Sequence, residues 1–484
     1  MSEFETIIGL EVHVELLTDT KLFCGCSTAF GAEPNTQVCP MCLGLPGGTQ
    51  PLLNKKAVEF TIKAAQALNC EIAPKVAFDR KNYFYADLPQ GFQISQFFHP
   101  LGRNGYIEFR VDGKIKRVGI HQVHLEEDTG KLFHLGDDIM SSPFSQVDFN
   151  RAGVPLMEIV SEPDIRTAEE ARLYLQKLRS IIRYLDISDC KMEEGSMRCD
   201  ANISIRPKGS SQFGEKTELK NMNSFRSVYR GIAYEEERQR HAVLVGESIL
   251  PETRHWDEAG GVTHAMRSKH VSAGYRCFPD PNIPPYSLAR EWILEIKSTI
   301  PELPDARYQR FIAEDDLADS AAEILSGSKE LADFYDAVLA FHNDPKMVSN
   351  WITSELLGHL NAAGQDITES KIKPEALGKL LQSMEKGEIS GKIGKAVFEE
   401  MFNTGKDPAT IIKEKGFTQI SDEDTLHELI SSVLEANPKS IEDYHSGKKR
   451  AMGFLVGQIM KETKGQANPQ LVSELLLERL KELK

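Results

Sequence analysis

The sequence predicts an α+β fold that gives way to an all-helical region. Strand-like alternation and helical periodicity are interspersed between Ile7 and about Pro285. The segment Cys277-Phe278-Pro279-Asp280-Pro281-Asn282-Ile283-Pro284-Pro285-Tyr286 then places prolines where no regular element tolerates them, and it marks a boundary. Beyond it the apolar spacing is helical nearly throughout. A chain of 484 residues also exceeds one compact core. The expected domains are residues 1–290, 291–405 and 406–484, the last boundary resting on a change of texture between Gly391 and Gly416.

The first strand is the most informative. In Gly9-Leu10-Glu11-Val12-His13-Val14-Glu15-Leu16 the apolar residues alternate with Glu11, His13 and Glu15. A side-chain period of two puts those three polar groups in one row. Cys24, Cys26, Cys39 and Cys42 follow as C-x-C-x12-C-x2-C. Two short cysteine knuckles joined by a loop suit a closed tetrahedral zinc site, which leaves no open position for a substrate. The remaining cysteines are scattered.

Asp79-Arg80-Lys81-Asn82 precedes an aromatic cluster, and Arg80, Lys81 and Asn82 are of the type that contacts phosphates and bases. Lys220, Asn221, Asn223, Arg226 and Arg230 add a second group of this kind. Three acidic segments lie between the two groups. They are His124-Leu125-Glu126-Glu127-Asp128, the stretch holding Glu158 and Glu162, and Glu193-Glu194 with Arg198 and Asp200. Each alone suits a solvated edge. Together with His13 they suit a magnesium ion, although that ion prefers oxygen and a histidine is its less usual ligand. The alternation around 121–127 leaves open whether Glu126 or Glu127 faces the same way as Glu11.

Thr167 and Glu170 form a capping box ahead of Leu175, Leu178, Ile182 and Leu185, which recur at helical spacing. A further helix is expected from after Asn223 to about His241. Gly209 to Thr217 is not a phosphate loop, because Glu215 displaces Lys216 from its place after the second glycine.

Hydrophobic content of 40% and charged content of 27% describe an ordinary globular chain, with no apolar run of membrane-spanning length. Glu3 and Glu5 replace any basic leader at the N-terminus, so a cytoplasmic location is expected. The formal charge of −15 excludes a chain coated in nucleic acid and confines RNA contact to a local basic patch. Lys448, Lys449, Arg450, Lys461 and Lys464, set against Glu462, form that patch in the tail.

These segments, in this order, resemble one family over essentially the whole chain. Ile8-Gly9-Leu10-Glu11-Val12-His13, Asp79-Arg80-Lys81-Asn82-Tyr83-Phe84, His124-Leu125-Glu126-Glu127-Asp128, Glu193-Glu194-Gly195-Ser196 and Gly453-Phe454-Leu455-Val456-Gly457 are similar to the B subunit of bacterial glutamyl-/aspartyl-tRNA amidotransferases. The resemblance implies a cradle-shaped catalytic domain related to glutamine synthetase, then a helical domain and a tRNA-holding tail. It implies a heterotrimer with an amidase A subunit and a small C subunit. It also implies ATP- and Mg²⁺-dependent phosphorylation of Glu-tRNA(Gln) or Asp-tRNA(Asn), followed by amidation. The metal ligands it implies are Glu11, His13, Glu158 and a glutamate of the acidic pair, Glu127 ahead of Glu126. Where the family often has proline and lysine, this chain has Ala86 and Gln90, and Gly274 and Cys277 replace an acid and an aromatic. Two other readings are compatible with the residues: a non-enzymatic RNA-binding adaptor and a ligase using free ammonia.

Overall fold

Ile8, Leu10, Val12 and Val14 are completely buried, and Glu11, His13 and Glu15 between them are half-buried. A strand with one apolar and one polar face is built this way. In the computed structural model, which describes residues 4–48, 50–134, 144–266, 275–417, 423–446, 448, 450–463, 467 and 469–482, this strand is β1 (Phe4–Glu15).

The first region continues with α1 (Lys55–Ala67), β2 (Glu71–Ile72), β3 (Lys75–Val76), β4 (Asp79–Asn82), β5 (Phe92–Ser95), β6 (Gly102–Val111), β7 (Lys114–Glu127), β8 (Lys131–His134) and β9 (Ser145–Asp148). It then runs through β10 (Pro155–Ser161), α2 (Ala168–Tyr184), β11 (Met197–Pro207), β12 (Thr217–Lys220), α3 (Phe225–Leu244), β13 (Glu252–Asp257), β14 (Val262–Ala265), β15 (Arg276–Pro279), β16 (Tyr286–Ser287) and α4 (Arg290–Ser298).

Nine strands form one sheet in the order β14-β13-β12-β11-β1-β10-β7-β6-β2, so β1 lies at its centre. Every pairing is antiparallel except β12 with β13. The apolar face packs on α1, α2 and α3, whose Ile62, Leu175, Leu178, Val228 and Ile232 join Leu10 and Val12 in one core. That leaves the opposite face of the sheet to the polar residues. A separate sheet, β15-β4-β5, carries Arg80, Lys81 and Asn82.

The helix expected after Thr167 is α2, and the Thr167 hydroxyl caps the Glu170 amide at 3.1 Å. The reciprocal half of the box differs, because the Glu170 carboxylate accepts from the Arg166 amide instead. Ser224 caps α3.

The first compact unit ends at Leu303, beyond the boundary expected at 290. Ile296 is part of the sheet core, and Trp292, Ile293, Ile300 and Leu303 pack against it. The proline cluster therefore interrupts regular structure without ending the domain.

The second unit, Pro304–Lys484, is helical in its described residues. One core is built from α5 (Pro304–Ala313), α6 (Asp319–Ser326), α7 (Lys329–Leu339), α8 (Pro345–Asn350), α9 (Leu357–Ala363), α10 (Pro374–Glu385), α11 (Gly391–Thr404) and α12 (Pro408–Lys415). Ile411 belongs to this core, which therefore extends past the boundary expected at 405. A separate core joins α13 (Glu423–Ala436), α14 (Pro438–His445), α15 (Arg450–Glu462) and α16 (Pro469–Glu482). No helix among the described residues is long and apolar enough to cross a membrane.

The sheet and α1 meet closely at Gly105. A Cβ there would lie 2.5 Å from the Leu68 carbonyl oxygen and overlap the Cys70 thiol. Gly105→Ala is expected to destabilise the first unit by about 1–3 kcal/mol, as overpacking does. A lower urea midpoint for its unfolding checks this, and an unchanged midpoint would show that the joint relaxes.

Candidate functional site

Strand register assembles the polar face. His13 on β1 lies opposite Glu158 on β10, and Glu158 lies opposite His124 on β7. On the other side of β1, Glu11 faces Asp200 and His13 faces Arg198 of β11. Directly paired residues share a face, so these side chains form a row across four strands.

At its centre the His13 Nε2 stands 3.7 Å from both a Glu126 and a Glu158 carboxylate oxygen. One atom from each of the three residues lies within 4.8 Å of the others, a spacing that fits a single metal ion. Buried His124 braces the two acids, with its Nε2 2.9 Å from Glu158 and 3.5 Å from Glu126. Ser95 donates to Glu126 at 3.0 Å.

Burial works against the charge on Glu158, but the charges of His124, His13 and Lys81 hold its carboxyl below the usual range. Burial likewise disfavours a charged His124, yet Glu158 and Glu126 push its pKa up to about 10. The cluster therefore favours the ionised form of buried Glu126 and part-buried Glu158.

Of the two glutamates left open by alternation, Glu126 joins His13. The preferred Glu127 turns to the other side of the strand, where its carboxylate accepts from the Ile94 amide at 3.0 Å. Burial, with Asp280, Glu126 and Cys42 nearby, pushes the Glu127 pKa up to about 8. Glu127 therefore stands apart from the His13, Glu126 and Glu158 group.

Glu11 stands next along the row and accepts from Asn202 at 2.8 Å. Burial and the Glu158 charge raise its pKa. Asp200 and Glu218 hold the Lys220 ammonium at 2.5 and 3.1 Å. On the far side of His13, Arg198 bonds Asp128 at 2.6 Å.

The residues nominated for phosphate or base contact divide into two groups. Lys81 acts on Glu126 and Glu158, and Lys220 lies on the acidic face. Arg80 is held by Asp280 at 2.7 Å, and Asn82 donates to the Arg276 carbonyl at 2.7 Å. Asn221 follows β12 with a positive φ and is exposed.

The four knuckle cysteines form a second cluster, with one sulfur from each within 4.8 Å of the others. A metal such as zinc fits that donor set. The Cys42 thiol is pulled down to about 4 by the Cys24 thiol, with the Cys39 amide and Lys21 adding to the effect.

A model of the GatB/GatE catalytic domain matches residues 6–294, and a model described as the GatB domain matches residues 333–480. The chain belongs to the GatB/GatE family. Curated relatives of this chain are named as the B subunit of an aspartyl/glutamyl-tRNA(Asn/Gln) amidotransferase. The protein of Carboxydothermus hydrogenoformans is 57% identical over the full length of both chains. That of Brevibacillus brevis is 53% identical, also over the full length of both. That of Persephonella marina is 52% identical over 99% of this chain and 100% of its own.

In the tail, Arg450 opens α15 and Lys461 lies in its last turn, both exposed, while Lys448 pairs with Asp443 at 2.8 Å. Lys449 and Lys464 lie outside the described residues. The sequence shows His124 in an acidic segment with no role of its own, and it gives Ser95 and Asn202 no link to the acids they contact. For His124 a signal was present: it shares parity with Glu126, while Val123 and Leu125 alternate with them. Asn202 and Ser95 carry no local signal, because their partners lie on other strands.

Proposed function

We propose that the chain is the B subunit of a glutamine-dependent tRNA amidotransferase. In this reading it uses ATP to phosphorylate the side-chain carboxylate of Glu-tRNA(Gln), Asp-tRNA(Asn) or both. Ammonia from an amidase A subunit then displaces phosphate to give the amide, with a small C subunit completing a cytoplasmic heterotrimer. The names of the full-length relatives support the reaction. The observation that carries the site is the group His13, Glu126 and Glu158, held by three paired strands.

A carboxylate resists attack because its charge repels nucleophiles and oxide is no leaving group. Phosphorylation supplies the leaving group. Bound Mg²⁺ would neutralise charge on the transferring phosphoryl. Glu126 and Glu158 offer the hard oxygens such an ion prefers, and His13 offers one nitrogen. His124 and Ser95 orient the carboxylates, as groups behind metal ligands commonly do. Glu11 lies next along the same face and remains a candidate ligand. Lys81 and Lys220 are placed to meet ATP phosphates. The four cysteines hold structural zinc, and the α15 face contacts the tRNA backbone.

Glu126→Gln and His13→Ala are expected to lower ADP formation with Glu-tRNA by roughly 10² or more. Titration with Mn²⁺ separates the two glutamates: Glu126→Gln should lose the site and Glu127→Gln should keep it. Equal loss in both would remove the assignment. Metal analysis of protein purified without chelator should find one zinc per chain. Cys39→Ser should release it and lower the stability of the first unit, whereas a stable fold with four free thiols and no zinc would contradict this. For the tail, the double variant Arg450→Ala/Lys461→Ala should weaken Glu-tRNA binding. It should also flatten the slope of log affinity against log salt by about one to two. An unchanged slope would return both cations to a solvated face.

A further inference from the structure

Lys21 is 0% exposed, yet its ammonium has few partners. Its Nζ lies 3.2 Å from the Phe149 carbonyl oxygen and 3.6 Å from the Cys42 sulfur. An ammonium has three donors and a full charge, and one carbonyl satisfies only part of that. A buried charge persists when a counter-charge lies beside it. Glu127 comes near across Gly153, where a Cβ would lie 3.5 Å from Lys21 Cδ and 3.9 Å from Glu127 Oε2. The Glu127 carboxylate, however, is bonded to the Ile94 amide. Among the described residues no carboxylate oxygen lies within 4.0 Å of the Lys21 ammonium, so the contact that can supply negative charge to it is the Cys42 sulfur. Four thiolates on one divalent cation carry two net negative charges, which a single adjacent ammonium partly offsets.

We propose that Lys21 is a positioning residue for the four-cysteine metal site, its buried ammonium and the metal-bound Cys42 thiolate each holding the other in place. This rests on the reading of the cysteines as a metal site. It extends that reading to the acidic face. The Leu22 amide next to Lys21 donates to the Gly153 carbonyl, and the Gly153 amide donates to the Asp128 carbonyl, both at 2.8 Å. Phe149 to Gly153 leads directly into β10, the strand of Glu158. Metal binding at the knuckle and docking of that segment are thus one equilibrium.

The test compares full-length wild type with Lys21→Met and Lys21→Gln, the second retaining a donor for Phe149 without the charge. Both variants should yield zinc to a colorimetric chelator with affinity lowered roughly 10–100-fold. With cobalt(II) in place of zinc, the sulfur-to-metal charge-transfer band should move to lower energy, because loss of the neighbouring charge raises the sulfur donor level. Metal-free Lys21→Met should melt no lower than metal-free wild type, since no orphaned charge remains. Unchanged zinc affinity and band position would overturn the proposal. So would an equal drop in melting temperature with and without metal, which would leave Lys21 only a tether for Phe149. A wild-type chain that binds neither zinc nor cobalt would instead sink the metal reading, and this proposal with it.

Discussion

The register of β7, β10 and β1 is the constraint on which the rest depends. His124, Glu158 and His13 stand opposite one another on adjacent strands, so their side chains share a face without help from any loop. A slip of one residue in either pairing would turn carboxylates into the core formed by Leu10, Val12 and Ile159. The apolar packing of α1, α2 and α3 on one side of the sheet thus enforces the arrangement of charge on the other. A site built on paired strands also keeps its geometry better than one built on loops.

The same face concentrates acids that repel one another, and the chain answers with cations placed between them. His124 sits between Glu126 and Glu158, Lys220 between Asp200 and Glu218, and Arg198 against Asp128. Burial pushes the Glu15 carboxyl up to about 8, with the neighbouring Asp128 adding to it. The Arg198 and Arg151 guanidiniums outweigh burial and hold Asp128 down at about 2. Only the His13, Glu126 and Glu158 group offers several ligand atoms at metal spacing among the described residues outside the cysteines. Asp128, Asp200 and Glu218 are each paired with a cation of the chain itself.

The cysteine knuckle and the β5 segment act on this face from outside the sheet. Ser95 reaches Glu126 while the neighbouring Ile94 amide holds Glu127, so one short strand secures both sides of the end of β7. The knuckle is tied through Leu22 and Gly153 to the entry of β10. The polar face of the sheet and the cysteine cluster beside it are connected through backbone hydrogen bonds.

The local alternation of β1 was enough to place Glu11, His13 and Glu15 on one face, because a strand has a fixed period of two. The cysteine spacing was enough to group four sulfurs, and helical periodicity located α2 and α3. What the sequence by itself could not determine is which strands are neighbours. The choice between Glu126 and Glu127, the insertion of His124 between two carboxylates and the reach of Asn202 and Ser95 all depend on that. So does the extension of the first unit to Leu303, since Ile296 reads as an ordinary helical residue until α4 meets the sheet core. Periodicity is a property of one segment, whereas register and docking belong to pairs of segments far apart in the chain, and only the folded structure brings those pairs together.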